Sequence, residues 1–274
     1  MRSLKPAASL LAAVLFATPA LSFAAEFQPQ PYQEGKDVIW LATPQEFVDK
    51  MLDMAQVGAK DVVIDLGSGD GRTVITAAKR GARALGIEYN PDMVEFSNLA
   101  AQKARVTDKA KFIKADLFET DFSEATVVTM YLLSSLNIKL RPKILALKAG
   151  TRVVSHAFDM GEWKADRTET VAGRNAFMWI VPAKVAGAWQ SSQGELVLKQ
   201  NFQTFEGALK SGTGTVQISD GKLVGDQLTF SAGLSQYAGR VTGNLIEGTV
   251  KGASSGAWSA TLRTDNPVSS PKIQ

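Results

Sequence analysis

The sequence predicts a doubly wound α/β domain with a mostly parallel sheet, followed by a small antiparallel β domain. Three observations carry this. Short apolar runs alternate with helix-patterned stretches between residues 61 and 155. The first run ends in an acid and a glycine-rich turn, Asp65-Leu66-Gly67-Ser68-Gly69-Asp70-Gly71. Beyond Val181-Pro182 the composition shifts to Gly, Thr and Ser with alternating apolar positions. The expected division is a leader over 1–24, an α/β domain over 25–182, a β domain over 183–263 and a disordered tail over 264–274.

In the leader, Arg2 and Lys5 precede an apolar run over 7–15 and the helix breaker Pro19; Ser22 and Ala24 are small residues suited to cleavage after Ala24. These are the parts of a secretory signal peptide. The expectation is an exported, periplasmic protein with no membrane span after cleavage. The alternative is an uncleaved membrane anchor, for which the apolar run is short. Without Arg2 and Lys5 the 30 basic residues become 28 against 27 acidic ones, so no nucleic-acid partner is expected. The absence of cysteine excludes disulfides, thiolate metal sites and thiol nucleophiles. A lone histidine, His156, argues against a histidine-based metal site.

Thr43-Pro44-Gln45-Glu46 reads as a helix start, with Thr43 capping and Pro44 at the first helical position. Phe47, Met51 and Ala55 give that helix one apolar face. Strands are expected over 62–64, 84–87, 111–115, 126–132 and 151–155. Helices are expected over 73–80, 91–104 and 136–147, the last with a break near Pro142. This alternation implies parallel βαβ units with helices on both faces. In the β domain, runs such as Leu228-Thr229-Phe230 predict a meander of about six to eight strands, a small barrel or sandwich. Asp220-Gly221 reads as a hairpin turn there, and Trp189 and Trp258 bracket the region.

The glycine turn is where a ligand is expected. Glycines let the backbone pass close beneath a ligand, and the helix that follows offers free N–H groups. A dinucleotide fingerprint needs glycine at the position that Arg72 fills. Asp65, two residues before the first glycine, would oppose a pyrophosphate and suits a zwitterionic ligand with a free amino group. Acids also end the next two strands: Glu88, placed to accept hydrogen bonds from ribose hydroxyls, and Asp116. Tyr131-Leu132-Leu133 closes the fourth strand.

Together with the stretches 41–52 and 131–142, the run from Asp65 to Arg72 resembles the class I (seven-strand) S-adenosylmethionine-dependent methyltransferases. It is similar to bacterial methyltransferase-domain proteins and to the lysine methyltransferases of the ATP synthase c-subunit. The resemblance covers about residues 36–182 and leaves out the β domain. It implies a Rossmann-like methyltransferase fold and S-adenosyl-L-methionine as cofactor, held by Asp65, Gly67, Gly69, Gly71, Glu88 and Asp116. It also implies that Asp116 meets the adenine amino group, that Tyr131 stands on the catalytic, acceptor side, and that the acceptor is a protein lysine. The acceptor motif Asn/Asp-Pro-Pro-Tyr is absent at 131–134. The alternative is an exported non-catalytic protein that holds an adenosyl ligand or a partner on the same fold. His156 or Asp159 reads either as a base for the acceptor or as part of a loop closing over the site. Trp40, Trp163 and Trp179 read as core or lid.

Overall fold

A computed structural model describes residues 27–263 except 213 and 254, so the expected leader and tail lie outside the described residues. Five strands form the centre: β1 (Val62–Leu66), β2 (Arg83–Glu88), β3 (Ala110–Lys114), β4 (Val127–Met130) and β5 (Arg152–His156). All pair in parallel, in the order β3-β2-β1-β4-β5. Strands β1 and β4 are buried almost throughout, because elements on both faces cover them. Helices α1 (Gln45–Met54), α2 (Arg72–Lys79) and α3 (Pro91–Lys103) contribute to one apolar cluster with Val63, and α4 (Ser134–Ile144) to another with Ile64. Helix α3 starts as its sequence dictates: Pro91 is the first helical residue, and Asn90 Oδ1 accepts from Asp92 N at 2.9 Å.

Two local expectations change. The residue capping α1 is Pro44, not Thr43, whose hydroxyl is instead 3.1 Å from His156 Nδ1. Pro142 lies inside α4 rather than breaking it.

A hairpin that the sequence pattern does not announce completes the sheet. Strands β6 (Arg167–Val171) and β7 (Arg174–Ile180) turn through Ala172 and Gly173, both at positive φ, as a tight two-residue turn requires. Strand β7 pairs antiparallel to β5, giving the seven-stranded order β3-β2-β1-β4-β5-β7-β6.

The remaining strands are β8 (Gly187–Ser191), β9 (Gly194–Asn201), β10 (Thr204–Ser211), β11 (Gly214–Val224), β12 (Gln227–Ala232), β13 (Ser235–Thr242), β14 (Leu245–Lys251) and β15 (Gly256–Leu262). They form a closed antiparallel barrel, which leaves no free sheet edge. Its interior is aromatic: Phe230 and Tyr237 stack at 4.5 Å, and Trp258 stands edge-on to both. Trp189 is buried in the same cluster. Asp220-Gly221 is not a turn but an irregularity within β11, where the pairing with β10 and β12 shifts register; the chain reverses at Gly225-Asp226.

The sheet and the barrel touch at several places, Gly225 against Gly150 and Ile180 among them, and one of these is the β9–β10 turn. Phe202 lies there at φ +52°, an uncommon conformation for a bulky residue. Its ring stacks on Trp163 at 6.0 Å with the Arg141 guanidinium 5.2 Å above it, contacts that hold the turn. Gln203 Nε2 donates to Lys164 O at 2.8 Å beside it.

Candidate active site

Strand order reverses between β2 and β4 at β1, and open α/β sheets bind ligands outside the carboxyl ends of their strands at such a point. A cavity opens there. Asp65, Gly67, Gly69, Glu88, Asp116 and Tyr131 all line it. Gly71 does not; it is the residue before α2, at φ +79°, and a Cβ there would lie 2.7 Å from the Phe112 ring. Its glycine serves the packing behind the turn.

Gly69 has a different reason. It sits at φ +54°, and a Cβ would come within 2.3 Å of Trp40 Nε1. Trp40 belongs to a strap of residues 33–43 that forms one wall of the cavity. The turn is tied behind by Ser97 Oγ, which donates to Gly69 O at 2.9 Å, while Gly69 N donates to Glu88 Oε2 at 2.9 Å. Asn90 N donates to the other Glu88 oxygen at 2.9 Å.

Asp65 is the only buried carboxylate among the described residues. Thr129 Oγ1, opposite it in the β1–β4 register, donates at 2.6 Å, and among the described residues no basic side chain pairs with it. Burial pushes its carboxyl up to about 7. Asp116 is the contrasting case. Lys36 of the strap pairs with it, Phe118 N donates to it at 2.9 Å, and the Lys36 hydrogen bond holds it below the usual carboxylate range. Lys36 Nζ also stands 4.9 Å over the Tyr89 ring.

At the end of β4 the Tyr131 ring stacks on His156 at 3.8 Å, and Arg174 Nη1 donates to Tyr131 Oη at 3.4 Å. His156 is fully buried and does not line the cavity. Burial first, and Arg174 second, lower its pKa to about 4. Asp159 is exposed and accepts from Ser134 Oγ and Gly161 N, each at 3.2 Å, which makes it part of the loop structure. Trp163 and Trp179 are core; Trp40 is on the cavity wall.

Three contributors are absent from the reading of the linear sequence. Thr129 was legible in principle, since it stands opposite Asp65 in the adjacent strand. Lys36 has no periodic pattern around it in the lead-in. Asn137, buried in α4, donates to Phe158 O and Asp159 O, both at 3.1 Å, and so fixes the loop after β5.

A seven-stranded sheet of this order, with a glycine turn and strand-end acids around a cavity at its switch point, defines a class I S-adenosylmethionine-dependent methyltransferase. Comparison with known proteins agrees. The family model of the ANTKMT methyltransferase domain matches residues 65–167. The chain is 46% identical over 129 residues to a protein-lysine N-methyltransferase of Saccharolobus islandicus, covering 46% of this chain and 80% of that protein. It is 38% identical to the mouse lysine N-methyltransferase of the ATP synthase c-subunit, over 39% of this chain and 43% of that protein. Among solved structures, the RNA methyltransferase of Salinibacter ruber in complex with S-adenosyl-L-homocysteine is 50% identical, with a TM-score of 0.52, over 53% of this chain and 96% of that one. The chain belongs to the same family of methyltransferases as the Saccharolobus protein. It is an enzyme, and S-adenosylmethionine is its methyl donor.

Proposed function

We propose that the acceptor is the side-chain amine of a protein lysine, and that Asp65, Gly67, Gly69, Glu88 and Asp116 hold the cofactor. The observation that carries the cofactor reading is Asp65: a buried carboxylate without a basic partner, facing a cavity, fits a ligand that brings a positive charge. Gly69 leaves the space that a Cβ would take from Trp40. Glu88 is oriented by two backbone N–H groups and keeps lone pairs for ribose hydroxyls. Asp116 is open to an amino group if Lys36 gives way. When bound, S-adenosylmethionine supplies an electrophilic methyl group on a sulfonium. The chain then has to align an amine with it and keep that amine neutral, and alignment alone lowers such barriers by roughly 7–11 kcal/mol. Tyr131, on the cavity wall at the end of β4, is the residue we place beside the acceptor.

The lysine reading draws on the lysine methyltransferases among the relatives, while the Salinibacter relative is described as an RNA methyltransferase. One experiment separates the two. The protein is incubated with methyl-labelled S-adenosylmethionine and either lysine-bearing proteins or total RNA, and the products are digested. Nε-methyllysine is expected; label in nucleotides and none in protein would overturn the lysine acceptor. We also propose that the chain is exported and begins at Ala25 after cleavage, as the pattern Ser22-Phe23-Ala24 indicates. Sequencing the amino terminus of the protein from its host tests this, and an intact Met1 would sink it.

A further inference from the structure

We propose that His156 is a positioning residue for methyl transfer: its imidazole is the middle ring of a stack that fixes the plane of Tyr131 at the acceptor end. This rests on the placement of Tyr131 beside the acceptor. The β4–β5 register pairs Met130 with Ser155, so Tyr131 and His156 lie side by side just beyond it. Phe47 of α1 covers one face of the imidazole at 3.8 Å and Tyr131 covers the other at 3.8 Å, with interplanar angles of 32° and 26°. Rotation of the middle ring is set by its Nδ1, 3.1 Å from Thr43 Oγ1. Thr43 in turn accepts from Arg72 Nη1 on its carbonyl at 2.9 Å, which ties the end of the strap to the start of α2. His156 thus joins the cofactor wall to the acceptor wall.

Reactive chemistry is not its role. The ring is sealed from the cavity, and Tyr131 is the one member of the stack on the cavity wall. Burial and Arg174 keep the imidazole neutral at physiological pH, so it takes no proton from an ammonium there. Its Nε2 is buried without a hydrogen-bond partner, a cost that a purely space-filling side chain would not carry. The gain is a flat ring with one hydrogen bond fixing its orientation.

The protein has four tyrosines, so labelling their rings with 13C gives four resolvable sets of signals, and Tyr131→Phe identifies one of them. Tyr237, stacked on Phe230 inside the barrel, serves as an internal control for folding. In the natural protein and in His156→Phe the Tyr131 signals should be displaced by ring currents. In His156→Ala they should move toward the position of an exposed tyrosine, keeping only the smaller displacement from Phe158, whose ring lies 6.0 Å from that of Tyr131, while Tyr237 stays put. If Tyr237 also moves, His156→Leu repeats the comparison with the space filled but no ring. In parallel, transfer from methyl-labelled S-adenosylmethionine to a pool of lysine peptides should lose roughly 10- to 100-fold in kcat/KM in His156→Ala, with cofactor Kd unchanged. His156→Phe should recover most of it. Unmoved Tyr131 signals in His156→Ala, or a His156→Phe variant as impaired as His156→Ala, would overturn the proposal. If the natural protein methylates none of the peptides, the lysine reading fails, and the tyrosine spectra alone decide the role of His156.

Discussion

The α/β sheet and the barrel are made from the same backbone hydrogen bonding, yet their buried polar groups are distributed very unequally. Among the described residues, aromatic rings aside, Ser235 is the only buried polar residue in the barrel; the others, Asp65 and His156 among them, lie in the α/β part. The cause is topological. Parallel strands laid side by side bring their carboxyl ends to one edge, so the ends of β1, β2 and β4 gather Asp65, Glu88 and Tyr131 around one cavity. Antiparallel strands of a closed barrel alternate their ends, and its inward positions fill with Phe230, Tyr237 and Trp258. One architecture leaves groups for a ligand to satisfy; the other satisfies itself.

The harshest test removes a ring from the self-satisfied region. Trp258→Ala deletes a side chain that is 5% exposed, and such changes cost about 3–5 kcal/mol. The barrel is expected to melt early in denaturant while binding of S-adenosylmethionine persists. A chain ending at Pro182 should likewise still bind it, since the proposed contacts lie between 65 and 131. Loss of binding in either case would show that the two regions form one cooperative unit. On the other side of the comparison, Asp65→Asn removes the charge from the cavity. It should weaken the cofactor by about 1.5–3 kcal/mol, the range for a hydrogen bond to a charged group. Calorimetry showing unchanged affinity would remove Asp65 from the site.

These two regions were also unequally legible. The parallel core could be read because each strand is a short apolar run that stops at a turn, and the acids at 65, 88 and 116 fall at or just past those stops. The number of barrel strands was legible from alternation, but Asp220-Gly221 misled, because a turn dipeptide can equally sit in a bulge. The β6–β7 hairpin was invisible for another reason: β6 is Arg-Thr-Glu-Thr-Val at an edge, half exposed, with no apolar alternation to read. Contacts between distant segments were out of reach altogether. Nothing in the local sequence says that Lys36 meets Asp116, or that Thr43 turns away from its helix to His156.

Phe202 is where the comparison could be blurred, since it is a residue of the barrel that packs in the α/β cluster. It is only half buried, so Phe202→Ala should cost about 1–2 kcal/mol, less than a fully buried phenylalanine. Calorimetry should show the two melting transitions move apart. Two transitions at unchanged temperatures would mean that the contact couples nothing.

A smaller effect separates two buried titratable groups, Asp65 and His156. Burial raises Asp65 to about 7 and lowers His156 to about 4. Between pH 4 and 6.5 the folded chain keeps an Asp65 proton that the unfolded chain has released. It also lacks a His156 proton that the unfolded chain binds. Asp65 therefore makes stability fall with rising pH, from about 4 to about 7, and His156 makes it rise up to about 6.5, so the two offset each other. Asp65→Asn should leave a rising profile and His156→Phe a falling one, each by about 1 kcal/mol per pH unit. Urea midpoints across that window measure both, and parallel profiles in the two variants would refute the pairing. Cofactor affinity should itself drop as pH falls through about 7, because protonated Asp65 no longer draws a cation.

The smallest expected effect tests whether charges at the parallel edge are exchangeable in a way that those on the barrel are not. Arg240–Asp226 and Arg263–Glu195 pair on the outside of the barrel, away from the cavity at the ends of the parallel strands. Lys36–Asp116 lies on the cavity wall, so an adenine amino group seeking Asp116 has to displace Lys36. Removing the lysine then removes a competitor, and Lys36→Ala should bind S-adenosylmethionine tighter. The gain should be a few-fold at most, because exposed ion pairs contribute little and water replaces them readily. Lys36 also holds the strap through Tyr89, which works in the opposite direction by letting bound cofactor escape. Stopped-flow separates the two: a faster association rate is expected from the freed Asp116, and a faster dissociation rate from the loosened strap. If association is unchanged and only dissociation rises, Lys36 is a clasp on the strap and Asp116 does not receive the adenine.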